Sequence, residues 1–420
     1  MRVVFLTELS HTGGVDTFLK SLVRHWPRTD DEIWVLANAR HPGLHALAAA
    51  IGDRARVEAH GVPVYADRIL QMAAGGKGRI RLLAPLLRLG DAVRGYLGFR
   101  RLFRRLAPDR VVIVAGGYPG GDSCRIAAIT WAGEAKGRPY AWFNVHNLAV
   151  PLASWNVLER MIDRILTRSV VAFVAVSRAC AESMRARPAL WDSGKVGYIL
   201  NGVEAPAVAV DAGALRAELG LPAACPLVLM LATYEPRKGH AFLFMAFKQV
   251  LQRMPGARLV VCGYSYPKEI NKVEAALRKA GVSDRVSLLG FRQDTARLLV
   301  AADVLVVPSQ AFESFGLTCV EAMAAGVPVV ATRVGGLAEV VADGDGGYSV
   351  ERDDIKGFAD RVARLLENSE LRREQAARGK QRYARLFTAE RMAQQYAALI
   401  GGAEKSAAII PANLQEPRHQ

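Results

Sequence analysis

The chain predicts an α/β protein made of two Rossmann-like, doubly wound parallel-sheet domains in tandem. Short β-branched runs alternate with longer helical stretches along most of its length. A second series of such runs begins after a Pro- and Ala-rich connection at residues 205–210. The 420 residues, 51% hydrophobic and 23% charged, are enough to fill two cores. Strands alternating with helices in this way form a parallel sheet covered on both faces.

In the first series, Val3–Leu6, Glu32–Leu36, Arg110–Val114, Ala141–Val145, Phe173–Val176 and Val196–Leu200 read as strands. In the second, the strands are Leu227–Leu231, Arg258–Cys262, Val286–Leu289, Val304–Val307 and Val327–Val330. The expected division is a first domain over 1–205 and a second over 206–386. A closing helix over 387–402 returns to the first domain, and a frayed tail occupies 403–420, where Pro411, Asn413 and Pro417 break any apolar periodicity. Ligands of open α/β sheets bind outside the carboxyl ends of the strands, so two such sheets are expected to enclose one interdomain cleft.

No apolar stretch approaches the roughly 20 residues of a membrane span, and the first residues read as a buried strand rather than a secretory signal. Five dispersed cysteines, Cys124, Cys180, Cys225, Cys262 and Cys319, argue against a disulfide framework and for a reducing, cytoplasmic setting. The net charge of +15 is uneven: residues 77–110 hold ten cations against Asp91 and Asp109, about half of it. Leu, Val, Tyr and Phe residues lie between these cations. That pattern suits an anionic membrane surface, at about 1 kcal/mol per cation, and equally suits a helix pair docked on the first domain with its arginines in water. No recognition motif accompanies the charge, so nucleic acid is not an expected partner.

The chemistry concentrates at Glu313-Ser-Phe315-Gly316-Leu317-Thr318-Cys-Val-Glu321, followed by Ala322-Met-Ala-Ala-Gly326-Val-Pro328-Val-Val. A strand ends at Pro308 and helical periodicity starts near Leu317, so the amides of Gly316, Leu317 and Thr318 have no intrahelical acceptor and can receive phosphate. Glu321, one turn on, can accept two ribose hydroxyls, and Glu313 can reach the sugar beyond the pyrophosphate. With Pro308-Ser309 and Phe312, this stretch resembles the retaining glycosyltransferases of family 4, whose architecture is GT-B.

The resemblance implies roles for further residues. Lys238, in Thr233-Tyr-Glu-Pro-Arg237-Lys238-Gly239, matches the family's pyrophosphate lysine. Electrostatic help of that kind to a departing diphosphate is often worth roughly 3 to 4 kcal/mol. Many relatives carry an arginine where this chain has Thr233, so either Arg237 reaches in or the phosphates are held by one cation fewer. Gly13-Gly14 resembles the family's Gly-Gly loop near donor and acceptor, and it is not the dinucleotide fingerprint of dehydrogenases. His146 matches a histidine that approaches the transferred sugar or the acceptor. Gly290-Phe291 falls where relatives read the base, and Asn201-Gly202-Val203 resembles a hinge signature. The implied catalytic set is therefore His146, Lys238 and Glu313. Donor contacts fall to Gly14, Arg237, Lys238, Gly290, Phe291, Glu313, Phe315, Gly316, Leu317, Thr318 and Glu321, and acceptor contacts to Gly13, Gly14 and His146.

The resemblance further implies metal-independent transfer of a sugar from a nucleotide-diphosphate donor to a hydroxyl of a glycan or polyprenyl-linked acceptor, with retention and with no other cofactor. Asp343-Gly-Asp345 and the His41/His45 pair are weak metal patterns, the first an ordinary turn and the second interrupted by Pro42-Gly43. Double displacement would need a nucleophilic carboxylate, and the first-domain motifs offer no obvious one, which favours same-face internal return. Two other readings are a GT-B nucleotide-sugar epimerase and a non-catalytic, membrane-associated scaffold of glycan assembly. The first lacks the extra acids it would need, and the second conflicts with the joint presence of His146, Lys238, Glu313 and Glu321.

Overall fold

The structure, a computed structural model, describes residues 1–8, 12–63, 80–153, 156–206, 212–222, 224–264, 267–402 and 410–411, with the side chains of 80–86 and 410–411 excepted. The remainder of the expected tail, the end of the connection at 205–210, Lys77 and Arg79 of the basic segment, and part of the loop before Gly13 lie outside these residues. The chain divides into two compact units, Met1–Asn201 with Ala389–Gln420, and Gly202–Thr388.

The first unit contains strands β1 (Arg2–Thr7), β2 (Glu32–Asn38), β3 (Arg56–His60), β4 (Arg110–Ala115), β5 (Ala141–Val145), β6 (Val170–Ala175) and β7 (Val196–Tyr198). Its principal helices are α1 (Gly14–Arg24), α2 (Ile80–Leu106), α3 (Asp122–Glu134) and α4 (Val157–Arg168). The second unit contains β8 (Leu227–Leu231), β9 (Arg258–Cys262), β10 (Val286–Gly290), β11 (Val304–Val307), β12 (Val329–Thr332) and β13 (Gly347–Val350), with helices α5 (His240–Arg253), α6 (Leu317–Ala325) and α7 (Ile355–Glu367). Helix α8 (Ala389–Ile400) belongs to the first unit, as does β14 (Ile410–Pro411), which pairs antiparallel with β7 inside the stretch expected to fray.

Both sheets are doubly wound. The first runs β14-β7-β6-β5-β4-β1-β2-β3 and the second β10-β9-β8-β11-β12-β13, all parallel but for β14. The strand order therefore reverses beside β1 in one unit and beside β8 in the other, and ligand crevices open at such switch points. The apolar runs form strands because both faces are covered: Val3, Val4, Phe5 and Leu6 are fully buried, as are Val304, Leu305 and Val306. Phe5, Phe18, Leu22 and Trp26 build the first core together with Met392 and Tyr396 of α8. The second core gathers Phe244 and Phe247 of α5, Val261, and Phe358 of α7.

Besides β14, two strands escaped the sequence reading, β3 and β13, because both are short edges. β3 is Arg-Val-Glu-Ala-His, whose polar residues suit a sheet border and hide the apolar signal. The expected helix pair at 77–110 is instead one helix, α2, of 27 residues. It runs through Gly95 and Gly98, where an added Cβ would stand 3.4 Å from Ile126 and 3.2 Å from Val62. The glycines thus let α2 lie close against its neighbours. The cations of this segment mostly serve the domain: Arg100 and Arg104 reach Glu134 at 2.7 Å, and Arg105 pairs with Glu58.

Helix α8 is tied to the first sheet by a buried hydrogen bond, the Asn144 Nδ2–H donating to the Tyr396 hydroxyl at 2.8 Å. Tyr396→Phe removes that acceptor and leaves an amide donor buried, which is expected to cost about 1–3 kcal/mol in urea unfolding. An unchanged unfolding midpoint would mean that α8 docks through its apolar face alone.

Candidate functional site

In the second unit β8 pairs directly with β11, so the loops leaving their carboxyl ends are neighbours although they are far apart in sequence. After β8 the chain makes one 3-10 turn, Pro236–Lys238, and passes through Gly239 at φ +77. A Cβ there would sit 1.9 Å from the carbonyl oxygen of Pro308, the residue just after β11. Only glycine permits that backbone approach. The two loops are locked further by the Gln310 N–H donating to the Arg237 carbonyl at 2.8 Å.

Their charged side chains converge as a result. Lys238 Nζ lies 2.5 Å and Arg237 Nη1 3.5 Å from Glu313 Oε2, and the Ser309 hydroxyl donates to the same oxygen at 3.3 Å. Arg237 and Lys238 thus share the same carboxylate oxygen. Thr233 does not supply the charge; its hydroxyl donates to Glu235 at 2.7 Å, and Glu235 in turn holds Arg237 at 2.6 Å. Burial opposes ionisation of Glu235, but the Thr233 hydroxyl and Arg237 outweigh it and hold the carboxyl below its usual range.

Helix α6 begins beside this cluster. Gly316 at φ +102 precedes it, and an added Cβ would fall 2.5 Å from Leu337. The Leu317 and Thr318 amides open the helix, and Glu321 follows one turn later, half-buried. Cys319 lies beneath them; burial raises its thiol pKa far above the usual range, with Glu313 adding to the rise and Lys238 acting against it. The Glu313 loop is backed by Gly335 and Gly336, whose added Cβ atoms would stand 2.3 Å from the Glu313 carbonyl oxygen and 2.4 Å from that of Ser314. Phe315 differs from the sequence expectation: its ring is buried and packs edge-on against Phe387 at 5.9 Å, so only its backbone faces the helix start. Gly290 adopts φ +65 at the end of β10, next to an exposed Phe291.

In the first unit, Gly13 and Gly14 open α1, and the Gly13 N–H donates to Asp16 Oδ2 at 3.0 Å. Gly13 itself is extended with open space around it, so this conformation does not demand glycine. His146, just past β5, packs edge-on against Phe18 at 4.3 Å, and its Nε2 has no hydrogen-bond partner among the described residues. Burial pushes its pKa down to about 3, which leaves a neutral imidazole. Sequence reasoning passed over Glu8, which follows β1 at the switch point. Its carboxylate accepts the Ser123 N–H at 2.8 Å and the Ser123 hydroxyl at the start of α3. Burial pushes Glu8 upward, against the Ser123 hydrogen bonds that favour the ionised form. Its signal in the sequence was its place directly after a buried strand and before the glycine pair.

The weak metal patterns are otherwise engaged. Asp345 pairs with Arg382 at 2.9 Å and Asp343 with Arg361 at 3.8 Å, while His41 lies 2.9 Å from Asp16.

Residues 211–382 match the family model of the glycosyl transferases group 1. N-acetyl-alpha-D-glucosaminyl L-malate synthase of Bacillus anthracis is 32% identical over 186 residues, 44% of this chain and 48% of that protein. D-inositol 3-phosphate glycosyltransferase of a Nocardioides species is 34% identical over 200 residues, 44% of this chain and 43% of that protein. The chain thus spans about half the length of the curated relatives it matches. Among solved structures, Anabaena Alr3699/HepE in complex with UDP and glucose superposes with a TM-score of 0.73 at 21% identity, covering 95% of this chain and 99% of that one. WaaG, a glycosyltransferase of lipopolysaccharide biosynthesis, gives a TM-score of 0.63 at 17% identity, covering 96% of this chain and 100% of that one. The fold is GT-B.

His60 and His240 are also held down by burial, each to about 4. The folded chain keeps these imidazoles neutral while the unfolded chain protonates them near 6.5, so unfolding takes up protons as pH falls below that value. Stability from this source is level above pH 6.5 and declines towards pH 4. His146→Gln should make the decline shallower in urea unfolding measured across that range, and an unchanged slope would show that His146 protonates freely in the folded chain.

Proposed function

We propose, from the match of residues 211–382 to the family model of the glycosyl transferases group 1, that the chain is a retaining glycosyltransferase of family 4 using a nucleotide-diphosphate sugar. The observation that carries the proposal is the convergence of Lys238 and Arg237 on Glu313 beside the first amides of α6. Two cations and a helix start form a site for two linked phosphates. Glu321, one turn into α6, is assigned the ribose hydroxyls, and Glu313 the transferred sugar. Gly290 and Phe291 are assigned the base.

We read the reaction from this placement and from the family resemblance. As the anomeric carbon–oxygen bond breaks, negative charge grows on the diphosphate, and Lys238, Arg237 and the Leu317 and Thr318 amides oppose it. The acceptor hydroxyl attacks from the same face, and its proton passes to the departing phosphate oxygen. Cations of the chain supply the charge that a divalent metal supplies in other transferases. His146, neutral and held by Phe18, is assigned a positioning role towards the sugar or acceptor, with Gly13 and Gly14 lining the acceptor side.

The acceptor is proposed to be a growing envelope glycan or a polyprenyl-linked one. Curated relatives include the lipopolysaccharide core biosynthesis glycosyltransferase LpsE of Rhizobium meliloti, 33% identical over 193 residues, 46% of this chain and 54% of that protein.

Thermal-shift titration with a panel of nucleoside diphosphates and their sugars tests the donor site. Wild type should gain stability with one base, by about 2.7 kcal/mol at a hundredfold excess over Kd, and Glu321→Ala should abolish the shift. No shift with any nucleotide would overturn the assignment. With the donor known, Lys238→Ala should lower kcat by about 10²- to 10³-fold, and the anomeric configuration of the product, read by NMR, should match that of the donor.

A further inference from the structure

Helix α4 is turned inside out. Its acidic residues point inward: Asp163 is fully buried and Glu159 nearly so, and an arginine cluster from three other segments holds them. Arg125 and Arg88 reach Glu159 at 2.8 and 2.7 Å, Arg187 reaches Asp163 at 2.7 Å, and the Tyr118 hydroxyl donates to Asp163 at 2.5 Å. These bonds fix the rotation of the helix, because turning Glu159 and Asp163 away from their arginines would leave buried charges uncompensated.

The opposite face is therefore held outward, and it is apolar. Val157, Leu158, Met161 and Ile165 are 61%, 57%, 52% and 44% exposed. Arg164 and Arg168 are exposed on the same side of the helix, and both of the helix's carboxylates are on the other. Leu89 and Val93 of α2, 63% and 52% exposed, add to the apolar surface of the same unit, and Arg88 beside them is the residue that crosses to Glu159. Contiguous exposed apolar side chains of this kind mark an interaction site. An apolar helix face flanked by Arg164 and Arg168 complements a surface that is itself apolar beneath anionic groups.

We propose that the outward face of α4 docks this unit on an anionic lipid bilayer. Met161, Ile165, Val157 and Leu158 enter the boundary between headgroups and acyl chains, and Arg164 and Arg168 pair with lipid phosphates. This places membrane contact mainly on residues 157–168 rather than on the cation-rich segment 77–110, where several arginines are already paired within the domain. The proposal stands independently of the donor site.

Flotation of the full chain with vesicles tests it. Wild type should float with phosphatidylcholine–phosphatidylglycerol vesicles and remain in solution with phosphatidylcholine alone, and high salt should weaken the binding. Met161→Glu with Ile165→Glu, and separately Arg164→Glu with Arg168→Glu, should each reduce binding to the anionic vesicles by about tenfold or more. All of these positions are on the surface, so the unfolding temperature and any nucleotide-induced shift should be unchanged. Absence of wild-type binding, or binding that both double variants retain, would overturn the proposal. So would a wild-type dimer that Met161→Glu with Ile165→Glu converts to monomer, since the face would then belong to a second copy.

Discussion

The side-by-side pairing of β8 and β11 is the constraint on which the second unit's chemistry depends. Their carboxyl ends bring Lys238 and Glu313 together across 75 residues of sequence. Glycines then remove the side chains that would keep the loops apart. Gly239 lies against Pro308, and Gly335 and Gly336 lie against the Glu313 loop, each at a distance no Cβ would permit. The result is backbone packed on backbone beneath a charged surface. Such a base fixes the position of Glu313 and the two cations more firmly than side-chain contacts alone could.

The first unit uses the same sheet logic with different chemistry. Its switch point carries Glu8 and Ser123 rather than cations, and His146 at the end of β5 is buried against an aromatic ring. Helix α8 closes over that sheet through Tyr396 and Asn144, and so contributes to the same core as α1. On the other side of the polar cluster, the buried carboxylates of α4 decide which residues face the solvent. Charge in this unit thus acts chiefly by orienting elements, while in the second unit it gathers Arg237 and Lys238 on Glu313 at the proposed site.

Much of this was legible in the residues. Buried strands such as Val3–Leu6 and Val304–Val307 announce themselves through uninterrupted apolar runs rich in valine, and the start of α6 follows from Gly316 before a helical period. The edge strands β3 and β13 did not, since an edge tolerates polar residues and shortness. Arg237's approach to Glu313 was left open by the sequence, because it depends on which loop lies beside which. Phe315 was assigned to the donor by its neighbours, whereas packing against Phe387 sends its ring into the core. Glu8 showed only its place between a buried strand and the glycine pair, and the inverted face of α4 showed nothing, because burial of a charged group depends on partners, here Ser123 and Arg125, that only the fold brings together.

The central claim is that Arg237 and Lys238, arranged on Glu313, form a site for a diphosphate. Calorimetry with the diphosphate and monophosphate of the preferred nucleoside, on wild type and Arg237→Ala, tests it most directly. The account predicts that wild type favours the diphosphate by about tenfold or more, equivalent to about 1.4 kcal/mol, and that Arg237→Ala loses most of that preference. Equal affinity for the two nucleotides in wild type would contradict it.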